Sequence, residues 1–324
     1  MKYATLALAA LVCGWLAVNV TTSPTAVAAM TIVGVTSGCL YALAALGYTL
    51  VYEVLDLINL PHGYVFVLGG LLTAQLLEGH VQASSSVADK AAWLVLALAV
   101  SVATCAVLSA VIELVAFRRL RQAPRLAPLV TSVAVIFILS NVMTAVWNAS
   151  LTLELPPLLP QRTLAQLGTV QIRLDKVAVA VAVAILLALT RVVLYRTSLG
   201  KQMRAAAEDR EAAALVGINV NRAISLTFLL GGALAGAGGT IFALYVTSIS
   251  WDEGLSISLI AFTAAVVGGL ARVEGAVLGA ILIGLVGAYN EGLRYTPGSE
   301  WTQSVILLTL IVILVVRPQG LLAE

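Results

Sequence analysis

Apolar runs close to the length of a bilayer crossing recur along the chain, separated by short polar breaks. They fall at 3–20, 26–52, 64–77, 91–116, 129–147, 177–194, 223–246, 255–270, 276–289 and 301–316. None alternates with period two, which argues against a β-barrel. The pattern predicts an all-α polytopic membrane protein of about ten transmembrane helices, because a helix satisfies its own backbone in lipid. The first run follows Lys2 and precedes Ala26-Val27-Ala28, so it resembles a signal peptide. Its positive region is weak and the gap to the Ala-x-Ala site is long, which favours a retained helix. Cleavage would leave nine.

The polar breaks carry most of the remaining information. Asn59-Leu60-Pro61-His62-Gly63 interrupts the helical pattern, since Pro61 lacks an N–H and Gly63 tolerates unusual backbone angles. Two placements fit it: a loop at the membrane surface, or an unwound segment buried in protein or lining a cavity. A charged island spans 201–219, with Lys201, Arg204, Glu208, Asp209, Arg210 and Glu211 set among alanines. It predicts a solvated helix stopped by Gly217, with Leu215 and Val216 as an apolar tip. A long polar connection over 149–174 contains Pro156, Pro157 and Pro160.

Arginine sets the orientation. Arg118, Arg119, Arg121 and Arg125, then 191–222, Arg272 and Arg317 are the basic ends, which face the cytoplasm. Ten crossings from a cytoplasmic Lys2 put every one of them inside. The 149–174 connection and Trp251-Asp252-Glu253 then fall outside; Arg162, Arg173 and Arg294 are the exceptions. The whole chain, 1–324, is expected to be one transmembrane domain. Within it, 1–25 is an extra helix or signal-like segment, 26–194 a first half, 195–222 a cytoplasmic loop and 223–324 a second half. The match of 67–71 (VLGGL) with 266–270 (VVGGL) suggests two pseudo-repeated halves with broken helices.

Composition agrees with lipid as the main solvent. The 324 residues are 60% hydrophobic and 10% charged, with mean hydropathy +1.02, against about 25% charged in a soluble domain. A net charge of +2 suggests no nucleic-acid partner. Cys13, Cys39 and Cys105 sit in apolar segments without metal-ligand spacing, so no metal site is expected. Glycine pairs four apart (Gly34/Gly38, Gly232/Gly236, Gly275/Gly279) predict close helix seams.

Candidate chemistry is sparse. Glu113 is expected to pair with Arg118 or reach the surface, and no Asp/Glu/His relay crosses the membrane. That counts against an ion-coupled carrier or a channel with a charged ring. Gly200-Lys201 lacks the rest of a P-loop, and no zinc-protease or G-x-S-x-G signature is present. The chain is therefore not expected to be an enzyme, and any energy source lies on another chain.

Five stretches carry a resemblance across about 31–321. They are Gly38-Cys39-Leu40-Tyr41-Ala42-Leu43-Ala44-Ala45-Leu46-Gly47-Tyr48, Ile58-Asn59-Leu60-Pro61-His62-Gly63, 204–219, Ala261-Phe262-Thr263-Ala264-Ala265-Val266-Val267-Gly268-Gly269, and Arg317-Pro318-Gln319-Gly320-Leu321. With them the chain resembles the permease subunits of bacterial branched-chain amino acid ABC importers, a family that includes urea and amide permeases. The resemblance implies a multi-pass protein of the bacterial inner membrane. It implies a second permease subunit, two cytoplasmic ATP-binding subunits and an extracytoplasmic solute-binding protein. This chain would bind no cofactor; ATP would be used by the partner subunits. The coupling segment would comprise Arg204, Glu208, Asp209, Arg210, Glu211, Ala212, Ala213, Leu215, Gly217 and Asn219. Tyr41, Tyr48, Asn59 and His62 would lie near the translocation path, and Trp251, Asp252 and Glu253 would meet the binding protein. Cargo is expected to be a branched-chain or other small amino acid, with urea or short amides as the alternative. Tyr64 after His-Gly and Pro61 before it depart from the family's usual residues and point to altered cargo. An ion-coupled carrier or channel is the rival of another class.

Overall fold

The computed structural model describes the chain except residues 1, 56, 58, 82–84, 122, 125, 148–151, 156–157, 159–162, 168–169, 270–272, 318–319 and 322–324. Arg125, Arg162, Arg272, Leu270, Pro156, Pro157 and Pro160 therefore lie outside the described residues. In chain order the helices are α1 (Lys2–Thr22), α2 (Pro24–Leu55), α3 (His62–Glu78), α4 (Val87–Ile112), α5 (Leu126–Trp147), α6 (Leu174–Arg196), α7 (Ser198–Glu208), α8 (Arg210–Leu215), α9 (Val220–Val246), α10 (Glu253–Gly268), α11 (Val273–Gly292) and α12 (Thr302–Val316). A π-helical turn, Glu113–Phe117, and a short 3-10 turn, Arg118–Leu120, extend α4.

Over their described residues all the predicted apolar runs are helical, apart from Gly269 at the end of the eighth. Among the described residues, seven segments are long and apolar enough to cross a membrane: α2, α4 with its extension, α5, α6, α9, α11, and α12 with the turn before it. The count falls short of ten partly because α3 and α10 hold only 17 and 16 residues. The fold is also not purely helical. Strand β1 (Leu153–Glu154) pairs antiparallel with β4 (Ser248–Ile249), and β2 (Thr163–Leu167) with β3 (Val170–Arg173). These strands lie in the connections, where no apolar run announced them.

Two antiparallel helix pairs frame the core. α2 packs on α11, with Gly34 facing Leu285 and Gly38 facing Ile281. α4 packs on α9, with Cys105 facing Gly232 and Ser101 facing Gly236. At Gly38 a Cβ would stand 2.6 Å from the Ile281 Cα, so only glycine permits that approach. The predicted seams are thus real, and a third joins Gly275 and Gly279 of α11 to Gly268 and Ala264 of α10. α2 and α9 also touch, through Gly47 and Gly231.

α3 and α10 fill the space between these pairs. His62, the first residue of α3, packs on Gly47, eight residues before the end of α2. Eight residues of helix rise about 12 Å, so α3 starts well inside the bundle. α10 starts at the same depth, where the Tyr64 ring covers Gly254. From there the two diverge. α3 climbs past Gly236 toward Thr240 of α9, and α10 descends to Gly268 beside the first turn of α11. The matched pentapeptides start at the sixth residue of α3 and the fourteenth of α10. They sit at different places along the two helices, so the short match does not by itself align the halves.

At the basic end, the carboxylate of Glu113 is fully buried (0% exposed). It accepts from Arg118 Nη2 at 3.1 Å and Ser225 Oγ at 2.8 Å, and it also pairs with Arg121. Arg121 in turn donates to Asn221 Oδ1. The expected Glu113–Arg118 pair forms; the tie to α9 through Ser225 and Asn221 was not foreseen. Removing one partner of a buried pair costs about 3–5 kcal/mol, because the other charges stay buried and unpaired. Glu113→Gln should therefore lower the thermal midpoint in detergent clearly, while Arg119→Gln, at an exposed neighbour outside the network, should not. An unchanged midpoint for Glu113→Gln would contradict the network.

Candidate functional site

The first candidate region is the junction of the two short helices. Leu55 ends α2, and the chain returns so that the Leu60 carbonyl accepts from Tyr48 Oη at 3.1 Å and Ser258 Oγ at 2.8 Å. Pro61 then occupies the first-turn position, where no N–H is needed. Of the two placements open for Asn59–Gly63, the structure has the buried one: Asn59, Pro61, His62 and Gly63 are all buried. The His62 ring lies edge-on to Tyr48, with centroids 5.2 Å apart, and Tyr48 lies near Phe262 of α10. Neither ring nitrogen of His62 makes a hydrogen bond of normal geometry, nor does Asn59 Oδ1 or Thr263 Oγ1.

Tyr48, Asn59 and His62 are thus brought together. Tyr41 is not part of the group: it lies seven residues earlier on α2, about 10 Å along the axis. Sequence reasoning missed Ser258, Phe262, Gly47 and Gly254, which complete the junction from α2 and α10. Tyr64 fills the contact between the two short helices.

The second region is the charged island, which is two helices rather than one. Asp209 breaks it with extended backbone (φ −154°, ψ 113°), and its carboxylate caps α8 by accepting from the Glu211 and Ala212 amides at 2.8 and 3.0 Å. The predicted stop at Gly217 holds. Gly217 has φ +86°, its N–H bonds the Ala214 carbonyl, and the Ile218 N–H bonds the Ala213 carbonyl. Asn219 lies beyond the helix: its side chain accepts from the Arg222 amide and caps α9. Arg204 belongs to α7, where it covers the Tyr195 ring at 4.8 Å and bonds the Leu194 carbonyl, holding α7 to α6.

On α8 the faces are sharply divided. Ala213 is buried, while Glu211 and Ala212 are exposed, and Glu208 before the break is exposed too. Leu215 and Val216 are 88% and 77% exposed. Two bare apolar side chains at the tip of a rigid, doubly capped helix form a small surface suited to a partner's groove.

A family model described as the branched-chain amino acid transport system / permease component matches residues 30–315. The chain belongs to that family. Curated relatives agree. It is 31% identical over 294 residues to the high-affinity branched-chain amino acid transport system permease protein BraD of Pseudomonas aeruginosa, covering 90% of this chain and 94% of the relative. It is 32% identical over 302 residues, with the same coverage, to the permease protein LivH of Escherichia coli. The fructose import permease protein FrcC of Rhizobium meliloti is 31% identical over 136 residues, 41% of this chain and 38% of that one.

This permease is a multi-pass membrane protein, with its long apolar helices supplying the crossings. The third predicted group lies in the turn that opens α10. Asp252 is exposed, and Trp251 and Glu253 are half-buried at the start of α10. The pairing of β1 with β4 brings the 153–155 stretch beside this turn, and the Leu155 N–H bonds the Thr247 carbonyl at 2.9 Å. Sequence alone did not join those two connections.

Proposed function

We propose that this permease moves branched-chain or other small amino acids into the bacterial cell as the transmembrane subunit of an ATP-driven importer. The observation that carries the reading is α8, a capped helix with a bare apolar tip, in a member of this permease family. The names of the relatives supply the cargo class and favour amino acids over urea. Two cytoplasmic ATP-binding subunits dock on the α8 surfaces of this chain and of a second permease subunit. A solute-binding protein delivers cargo to the opposite end, where Trp251, Asp252 and Glu253 meet it. The basic ends face the cytoplasm, and the inner membrane is crossed ten times with α1 retained. α1 is clamped to the bundle: Asn19 Oδ1 accepts the Arg294 N–H at 3.1 Å, and Trp15 Nε1 donates to the Arg294 carbonyl at 3.0 Å.

The two halves are inverted copies in which α2–α3–α4 corresponds to α9–α10–α11. The packing supports this: the α2–α11 and α4–α9 pairs exchange under that correspondence, and α3 and α10 meet at their starts. Cargo passes near Tyr48, Asn59 and His62 as the halves rock. Specificity rests mainly with the binding protein, because the junction offers few polar groups. Cells that lack their own uptake and express the full set of subunits should accumulate labelled leucine. Labelled urea accumulating in its place would overturn the cargo assignment.

A further inference from the structure

We infer that Arg210 is the strut that joins the docking helix to the transport core, and that it is not itself a docking residue. The inference rests on the reading of α8 as the motor-docking helix and assigns its two faces separate tasks.

The geometry is specific. Arg210 opens α8, directly after the break at Asp209. Its guanidinium turns away from the exposed face, and Nη2 donates to the Val54 carbonyl at 2.9 Å, across 156 residues of sequence. Val54 is the penultimate residue of α2. The last four carbonyls of a helix have no partner within it, and the negative end of the helix dipole favours a cation there. Arg210 meets both needs at once. Ala213, three residues on and thus on the same side of α8, is buried beneath it. Glu211, Ala212, Leu215 and Val216 point outward.

What lies beyond Val54 gives the strut its purpose. One residue later α2 ends, and the chain returns through Leu60, held by Tyr48 and Ser258, into His62 and α3. The Arg210–Val54 bond therefore sits at the base of the segment that sets where α3 begins. A displacement of α8 reaches the α2 terminus directly through this charge-assisted hydrogen bond. On one side Asp209 joins α8 to α7, whose Met203 packs with Leu46 and Leu50 of α2; on the other Gly217–Asn219 lead into α9, where the Glu113 network ties α9 to α4. The chain thus links α8 both to α7, which packs on the flank of α2, and to α9, while the Arg210 hydrogen bond is a direct tie from α8 to the end of α2. Losing that bond uncouples the two without unseating the partner.

The test compares Arg210→Ala and Arg210→Lys with Leu215→Asp, each co-expressed with the ATP-binding subunits and the binding protein. Three quantities are measured: co-purification of the ATP-binding subunits, ATP turnover in proteoliposomes, and leucine taken up per ATP hydrolysed. Arg210→Ala should keep co-purification and turnover within about twofold while uptake per ATP falls about tenfold or more, the size expected for a lost charged hydrogen bond. Arg210→Lys, which keeps a donor on a flexible stem, should recover part of the coupling. Leu215→Asp should lose co-purification. Unchanged uptake per ATP in Arg210→Ala would overturn the strut, and so would loss of co-purification in that variant, which would make Arg210 a docking residue. Normal co-purification in Leu215→Asp would instead count against the docking reading itself.

Discussion

Gly63→Ala should remove transport and sharply reduce the amount of folded permease. Gly63 is where α3 and α10 meet, and a Cβ there would lie 2.5 Å from the Ser258 amide nitrogen and 2.6 Å from the Gly254 carbonyl oxygen. Both are backbone atoms, so no side chain can turn aside. Overpacking of a tight interior typically costs about 1–3 kcal/mol, and a backbone clash belongs at or above the top of that range. The shift would push α10 off α3, open the Ser258–Leu60 hydrogen bond and displace His62 from Gly47. Gly14→Ala is the control, because a Cβ at Gly14 meets nothing within 4 Å. Size-exclusion profiles and thermal unfolding in detergent give the readout. Wild-type stability and uptake in Gly63→Ala would refute the proposed contact between the two short helices.

Reversing both charges in Glu208→Lys/Glu211→Lys should abolish ATP-dependent uptake while leaving the folded protein intact. Both carboxylates are exposed, so the bundle does not depend on them. Opposed charges at a docked surface cost about 2–5 kcal/mol each, which predicts a loss of at least about a hundredfold. The thermal midpoint should stay within a degree or two of wild type, because the Asp209 cap itself is kept and exposed substitutions change stability little. Full uptake in the double variant would show that α8 is not where the motor acts.

Much of this molecule was written in its hydrophobic pattern. Twenty-residue apolar runs have one solution in lipid, so helix placement followed directly from them, and the glycine pairs marked the seams because close approach demands them. The cap at Gly217 was legible for the same local reason. Less local features were not. The break at Asp209 depends on a side chain capping the next two amides, which competes with the alanines on either side. The burial of Asn59–Gly63 is decided by Tyr48 and Ser258, one before it and one far beyond it, and no spacing rule joins those positions. The pairing of 153–154 with 248–249 is likewise a tertiary choice. At the candidate sites, residue types flagged Glu113, His62 and the charged island, but their partners Ser225, Gly47 and Val54 are ordinary residues distinguished only by place. The pseudo-repeat was sought in matching letters, whereas the proposed inverted correspondence rests on which helices pack together.

The central claim is that this permease depends on a separate ATP-driven motor acting through α8. The direct measurement is leucine uptake into proteoliposomes that contain the purified permease, with and without the ATP-binding subunits, ATP and the solute-binding protein. Uptake should require all three and should be indifferent to an imposed proton or sodium gradient. Leucine accumulation by the permease alone, driven by such a gradient, would contradict the account.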